Sequence, residues 1–400
     1  MQKPIVNMEQ SKPNNYQTYI LFFSWTVGLI AVLIRLFIKI DLTPIILVIA
    51  LVDIVFNLRR KNLKLNSLSY KVITLVLIFY AWLIFSNAYS PSLTYKYDKT
   101  LFFLANIIFF LYPFFIRKIN TDLLIRLYCI IILPLSAYFV YMNSIVWSVR
   151  SSSTELFMNI RDAYLVFGIQ LGILFLLLLY YKKNIILKVI TFSLLLASGA
   201  RGPLIFAILL SIVYLISQKN IQSISPKIIL RTIFAMVGLF FIYYLNANKL
   251  GALLESTLRR FGSLVGGEDR SALERVYRLN YAFNQPFEKL STFLFGNGNG
   301  SFGILYEKFD KRSYPHNILV ECFFELGLVG LAIFLILFLS IFRKISFKEN
   351  VFGLLFLFAF VNAMKSSGIT DLWILFSFMG VIISLKAKQG SLSSEKDLEG

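Results

Sequence analysis

One histidine, two cysteines and a charged fraction of 15% over 400 residues remove several chemistries at once. There is no Asp-x-Asp pair, His-x-x-x-His or cysteine cluster, so a catalytic metal has no evident ligand set and no cofactor is expected. Cys129 and Cys322 both sit in apolar runs, where a thiol behaves as a small hydrophobe, and the compartment is not legible from them. No Gly-x-Ser-x-Gly elbow offers a serine nucleophile. Gly298-Asn299-Gly300-Ser301-Phe302-Gly303 matches G-x-G-x-x-G but lacks the strand before it and the helix after it. It reads as a turn-rich loop whose amides offer at most a small anion nest.

What the chain has in quantity is apolar length. A hydrophobic fraction of 58% and a mean hydropathy of +0.72 lie outside the soluble range, and near-spanning apolar runs recur throughout. This defines an all-α polytopic membrane protein, a single integral membrane domain over residues 1–400. Runs fall at Tyr19–Phe37, Leu42–Phe56, Val72–Ser86, Leu101–Ile116, Leu124–Met142, Ala163–Tyr181, Ile185–Ala200, Pro203–Ile216, Ile228–Leu245, Ile318–Phe342, Val351–Met364 and Leu372–Leu385. They predict about twelve transmembrane helices, several shorter than a comfortable span. The polar start carries Lys3 and Lys12, and the first run lacks a small-residue cleavage site, so it is expected to be retained.

The net charge of +19 does not point to nucleic acid, because basic residues gather in every second connection. These are Arg59-Arg60-Lys61, Arg117-Lys118, Lys182-Lys183, Lys219 with Lys227 and Arg231, and Arg343-Lys344, followed by Lys386 and Lys388. The positive-inside rule makes them cytoplasmic, with both termini on that side. Outward connections are then residues 90–100, residues 143–162, the turn at Arg201 and the long loop 246–315. Within that loop, Ser271-Ala272-Leu273-Glu274 has capping-box spacing and Pro286 is a stop, predicting a helix over 271–284. Arg270, Glu274 and Arg278 share one of its faces, with Arg275 beside them. A second helix is expected over 250–261, with Arg259 and Arg260. Residues 387–400 read as a disordered tail.

The chemistry-bearing residues collect at one membrane face. His316, in Tyr314-Pro315-His316-Asn317, enters the run at Ile318 and lies about 40 Å above Arg343 by helix rise, in the outer headgroup layer. A helix N-terminus there favours an anion and keeps the imidazole neutral. Glu321 and Glu325 follow inside the apolar stretch, where carboxylates default to function or to an ion pair. Arg201 lies about 18 residues from the basic loop on either side, at the same face. It is expected either to pair with Glu321, Glu325 or lipid phosphate, or to coordinate a substrate phosphate. Arg270, Arg275 and Arg278 suit the same phosphate, as a basic surface helix on anionic lipid would also suit.

These residues resemble the O-antigen ligase and polymerase family of bacterial envelope enzymes. The match rests on His316-Asn317, nine residues, then Gly327-Leu328-Val329-Gly330, where a long outer loop enters a helix. Arg201-Gly202-Pro203, Arg260 with Leu264, Arg275 with Leu279, and Tyr89-Ser90-Pro91 with Lys99 support it. The resemblance implies a GT-C-like fold in the bacterial inner membrane and an inverting, metal-independent glycosyltransfer. In it a glycan on undecaprenyl diphosphate passes to an acceptor hydroxyl, on another glycan or on lipid A core, at the periplasmic side. It also implies that His316 and Arg201 are catalytic, and that Arg260, Arg270, Arg275, Arg278, Asn317, Glu321, Glu325 and Lys99 bind substrate. His316 either deprotonates the acceptor or holds the diphosphate. Arg161 and Gly172 give a single R-x10-G spacing, without the paired loops of some polymerases, and the Tyr-Pro-His-Asn context with Glu321 and Glu325 leans toward the polymerase over the ligase. A lipid-glycan flippase or secondary transporter is the alternative from another class.

Overall fold

The computed structural model of the protein describes residues 15–37, 43–60, 65–116, 118–148, 163–217, 270–345 and 350–396. Among them all regular structure is helical. In chain order the helices are α1 (Asn15–Phe37), α2 (Thr43–Arg60), α3 (Ser67–Ser86), α4 (Tyr95–Phe115), α5 (Thr121–Leu127), α6 (Leu133–Ser148) and α7 (Tyr164–Tyr180). There follow α8 (Ile185–Ala197), α9 (Arg201–Ser217), α10 (Arg270–Asn284), α11 (Leu290–Phe295), α12 (Ile318–Phe342), α13 (Val351–Ser366) and α14 (Trp373–Lys396). A π-helical turn, Tyr128–Ile132, makes α5 and α6 one continuous rod.

Asparagine is the recurrent starting residue, because its short side chain satisfies the free amides of a first turn. Asn66, Asn120, Asn184, Asn317 and Asn350 each accept a backbone N–H bond at the head of α3, α5, α8, α12 and α13. Four helical stretches are long and apolar enough to cross a membrane: Ser67–Ser86, Tyr95–Phe115, Thr121–Met142 and Ile318–Phe342. Thr43–Leu58, Tyr164–Tyr180, Ile185–Ala197, Arg201–Ser217 and Val351–Ser366 are apolar but shorter. The expected run at 228–245 and the helix at 250–261 lie outside the described residues.

The core is aromatic and aliphatic, with Trp25, Tyr112, Tyr128, Phe79, Phe103 and Phe110 fully enclosed. Several of its polar groups are answered internally, as membrane burial favours. Gln170 accepts from the Tyr128 hydroxyl at 2.9 Å and donates to the Trp25 carbonyl at 2.7 Å, while Trp25 Nε1 donates to Ser377 at 2.8 Å.

Two boundaries differ from expectation. Helix α4 begins at Tyr95, so Lys99 belongs to the helix and not to the outward connection. Ser92 Oγ accepts from the Lys96 amide of the first turn at 3.0 Å, and Asp310, distant in sequence, holds the residues before the helix by accepting from the Ser92 hydroxyl at 2.6 Å and from the Leu93 and Thr94 amides at 2.7 and 2.8 Å. At the other end α14 continues as helix through Lys396, where a disordered tail was expected.

Candidate functional site

Five helices bring their ends to one place. Residues at the start of α7 (Tyr164, Leu165), the start of α9 (Arg201, Gly202), the middle of α10 (Arg275, Val276, Leu279), the entry to α12 (Pro315, His316, Asn317) and the end of α13 (Met364, Lys365, Ser366) line a cavity of about 290 Å³. Three cations therefore line one half-open cavity with one imidazole. The cavity lies at the opposite end of α7 and α12 from Lys182-Lys183 and Arg343-Lys344. Three helix N-termini, of α7, α9 and α12, add their dipoles to this positive field, and the C-terminus of α13 opposes them.

His316 takes a left-handed backbone, φ 61°, so that the chain turns sharply before Asn317 starts α12. The Asn317 side chain accepts from Leu319 and Val320 amides at 3.0 and 3.2 Å and is spent on that cap. The imidazole packs edge-on to Tyr314, with ring centroids 4.7 Å apart, and its Nδ1 is buried with no hydrogen-bond partner among the described residues. Burial first, then the charges of Arg275 and Arg278, lower its pKa from 6.5 to about 4, against an opposing hydrogen bond to the Ser366 backbone. The ring is therefore neutral at physiological pH. The helix end was the expected reason; enclosure and two arginines are the observed ones.

The structure does not bring Lys99, Glu321 and Glu325 to the cavity wall. Lys99 Nζ forms ion pairs with Glu321 and, at 2.7 Å, with Glu325, and all three side chains are at most 1% exposed. These three, expected among the substrate-binding residues, form an internal cluster, and of the alternatives for Arg201 the pair with Glu321 or Glu325 is taken by Lys99. The second oxygen of Glu321 accepts from the Ile369 amide at 2.9 Å, and Glu325 accepts from the Gly300 amide at 2.9 Å. The cluster thus ties α4, α12, the G-x-G loop and the turn after α13 together. The amides of that loop serve the protein itself: Gly298 donates to the Glu325 carbonyl at 2.8 Å and Asn299 to Ser86 Oγ at 3.1 Å.

Arg278 is also committed inward. It pairs with Glu274 at 2.7 Å and Glu307 at 2.9 Å and donates to Ser313 at 2.9 Å, so it braces α10 against the following loop. Arg270 opens α10, within one residue of the expected start, while Arg260 lies outside the described residues. Lys365 and Ser366 were not anticipated. The available signal was a lysine closing the apolar run 351–364 at the same face as Arg201 and His316.

A helical protein that spans a membrane and closes a cationic pocket around one neutral histidine at a helix entry is the class that this geometry defines. The O-antigen ligase family (Wzy_C) matches residues 186–335, from the start of α8 into α12, and so includes Arg201, Arg275 and His316. The match supports assignment of the chain to the O-antigen ligase and polymerase family. That family implies an O-antigen ligase or polymerase type of activity, with a lipid-linked glycan as donor and a glycan or lipid A core as acceptor. Comparison with curated proteins finds no match.

Proposed function

We propose that the protein is an inverting glycosyltransferase that moves a glycan from undecaprenyl diphosphate to an acceptor sugar hydroxyl on the periplasmic side of the inner membrane, elongating a surface polysaccharide. The observation that carries this reading is the convergence of Arg201, Arg275, Lys365 and the neutral His316 on one cavity. In the transfer, the acceptor oxygen attacks the anomeric carbon as the bond from that carbon to the diphosphate oxygen breaks. The diphosphate leaves with an added negative charge, which arginines fixed beforehand stabilise more in the transition state than in the ground state. The acceptor hydroxyl gives up its proton, and His316 is the one group in the cavity that is neutral and able to take it. Arg201 and Arg275 then act as planar donors to phosphate oxygens. A cavity at the ends of helices also fits headgroup chemistry better than the midplane site of a transporter.

The polymerase assignment rests on the Tyr-Pro-His-Asn context and the breadth of the 246–315 loop. A second reading, ligation of finished chains to lipid A core, is favoured by the description of the matching family. A host lacking the gene separates them. Loss of a polymerase leaves core capped by a single repeat. Loss of a ligase leaves bare core and long chains on undecaprenyl diphosphate, and that accumulation would reject the polymerase.

A further inference from the structure

We propose that Lys365 is a third phosphate-contacting residue, seated by the bare face of Gly202 so that its ammonium meets the phosphate of the donor lipid. The inference rests on the donor reading above and extends it to a residue outside the sequence motifs.

Lys365 ends α13 but does not reach away from the cavity. A Cβ placed on Gly202 would stand 3.2 Å from both its Cδ and its Nζ, and 3.6 Å from Asn362 Oδ1. The side chain therefore lies against the first turn of α9, where a side chain at 202 would crowd it. That position is electrostatically poor for an empty site. The charged neighbours acting on Lys365 are Arg275 and Arg201, both cations, and the N-terminal dipole of α9 adds to them, against the C-terminal dipole of its own helix α13. Among the described residues Lys365 has no ion pair and no hydrogen bond, and the same holds for Arg275. The contrast is Lys99, which is fully buried and meets two carboxylates, whereas Lys365 is half-buried and opens onto the cavity.

A lysine serving only as a helix C-terminal cation would snorkel away from two arginines. Held against them, it needs an anion supplied from outside. The cavity offers the size, and the phosphates of the donor supply the negative charge that Lys365 and Arg275 lack among the described residues. An ammonium contributes here as a point charge, complementing the planar donors at 201 and 275.

The test uses the full chain in neutral phosphatidylcholine nanodiscs, titrated with undecaprenyl diphosphate and, separately, with phosphatidylglycerol. Expected is saturable binding of undecaprenyl diphosphate that weakens about tenfold in Lys365→Gln, in line with loss of one charge-assisted contact, and is largely kept in Lys365→Arg. Gly202→Ala keeps the charge but displaces it, and should weaken binding too; it decides the matter if Lys365→Gln fails to insert. Phosphatidylglycerol should not compete. Wild-type affinity in Lys365→Gln and Gly202→Ala, with loss in Arg275→Gln, would overturn the role of Lys365 and leave the donor site standing. Absence of binding by the wild type would overturn both, and full competition by phosphatidylglycerol would replace the donor with bulk lipid headgroup.

Discussion

Gly327 lies back to back with Gly296, and both take left-handed backbones, φ 68° and 80°. A Cβ on Gly327 would stand 2.4 Å from the Gly296 nitrogen and 2.3 Å from the Leu294 carbonyl oxygen. The non-helical Gly327 (ψ −170°) interrupts α12 and frees carbonyls that the loop then uses. Asn297 donates to Phe324 at 2.9 Å, Gly298 to Glu325 at 2.8 Å, and the Trp82 indole to Leu326 at 3.0 Å. The first two turns of α12, which carry His316 and Asn317 at their head, are thereby aimed by the outer loop and not by the membrane part of the same helix.

Gly327→Ala should therefore fail structurally. The backbone region alone costs about 1–3 kcal/mol for a residue with a side chain, before any contact with Leu294. The expected outcome is a large drop in membrane-inserted protein, with exposed Leu328→Ala unaffected as the control. Normal accumulation and melting of Gly327→Ala would show that the break in α12 is not required.

Lys99→Met should be among the most damaging single changes, because it leaves Glu321 and Glu325 enclosed without their cation. Removing one partner of a buried pair costs about 3–5 kcal/mol. Adding Glu321→Gln and Glu325→Leu to Lys99→Met should recover much of the loss, since no uncompensated charge remains. Thermal unfolding in detergent reads both steps; equal midpoints for wild type and Lys99→Met would discard the account.

The sequence made the helices legible wherever apolar runs were long, and it placed α10, α12, Arg201 and His316 at one end of the molecule. What it hid depends on contacts across hundreds of residues. The early start of α4 rests on Ser92, which accepts from the Lys96 amide and is itself held by Asp310, more than two hundred positions away. The fate of Glu321 and Glu325 depended on Lys99, which an apolar-run boundary at Leu101 had put outside the helix. Lys365 joins the cavity through the missing side chain of Gly202, a relation with no local pattern. Arg275 and Arg278 looked equivalent by spacing, yet Glu274 and Glu307 claim only Arg278.

Asp310 gives a pH-dependent prediction. Burial would raise its pKa, but bonds from Ser92, Thr94 and Leu93 prevail and hold it at about 2, below the ordinary 3.8. A depressed carboxylate contributes stability that is complete above its ordinary pKa and lost as pH falls through the folded value. The difference in unfolding midpoint between wild type and Asp310→Ala should be constant above about pH 4 and shrink toward about pH 2. A difference that stays unchanged at the acid end would sink this assignment.

The proposed orientation predicts that the region between α10 and α12 faces the periplasm. Ser301 is buried and unsuitable as a probe, whereas Glu288 is exposed. In a Cys129→Ser background, Glu288→Cys should react with an impermeant thiol reagent in intact spheroplasts. Reaction only after lysis would reverse the topology and, with it, the side on which transfer occurs.

His316 carries the sharpest kinetic prediction. Burial, then Arg275 and Arg278, bring its pKa from 6.5 to about 4, so the folded state holds the neutral ring where an unfolded chain would protonate it. Its contribution to stability is therefore present above about pH 6.5 and lost as pH falls through about 4. If the neutral ring takes the acceptor proton, the acid limb of kcat/KM should fall near about pH 4 and not near 6.5, since that limb reports the free enzyme. Arg275→Gln removes the second cause of the shift, so its residual activity should show a limb moved toward 6.5. His316→Ala should lose at least about a hundredfold in rate, the usual contribution of a positioned base, while inserting normally. An acid limb near 6.5 in the wild type, or one that Arg275→Gln does not move, would remove the base role. Substantial activity in His316→Ala would reduce the residue to the turn that its left-handed backbone makes ahead of Asn317.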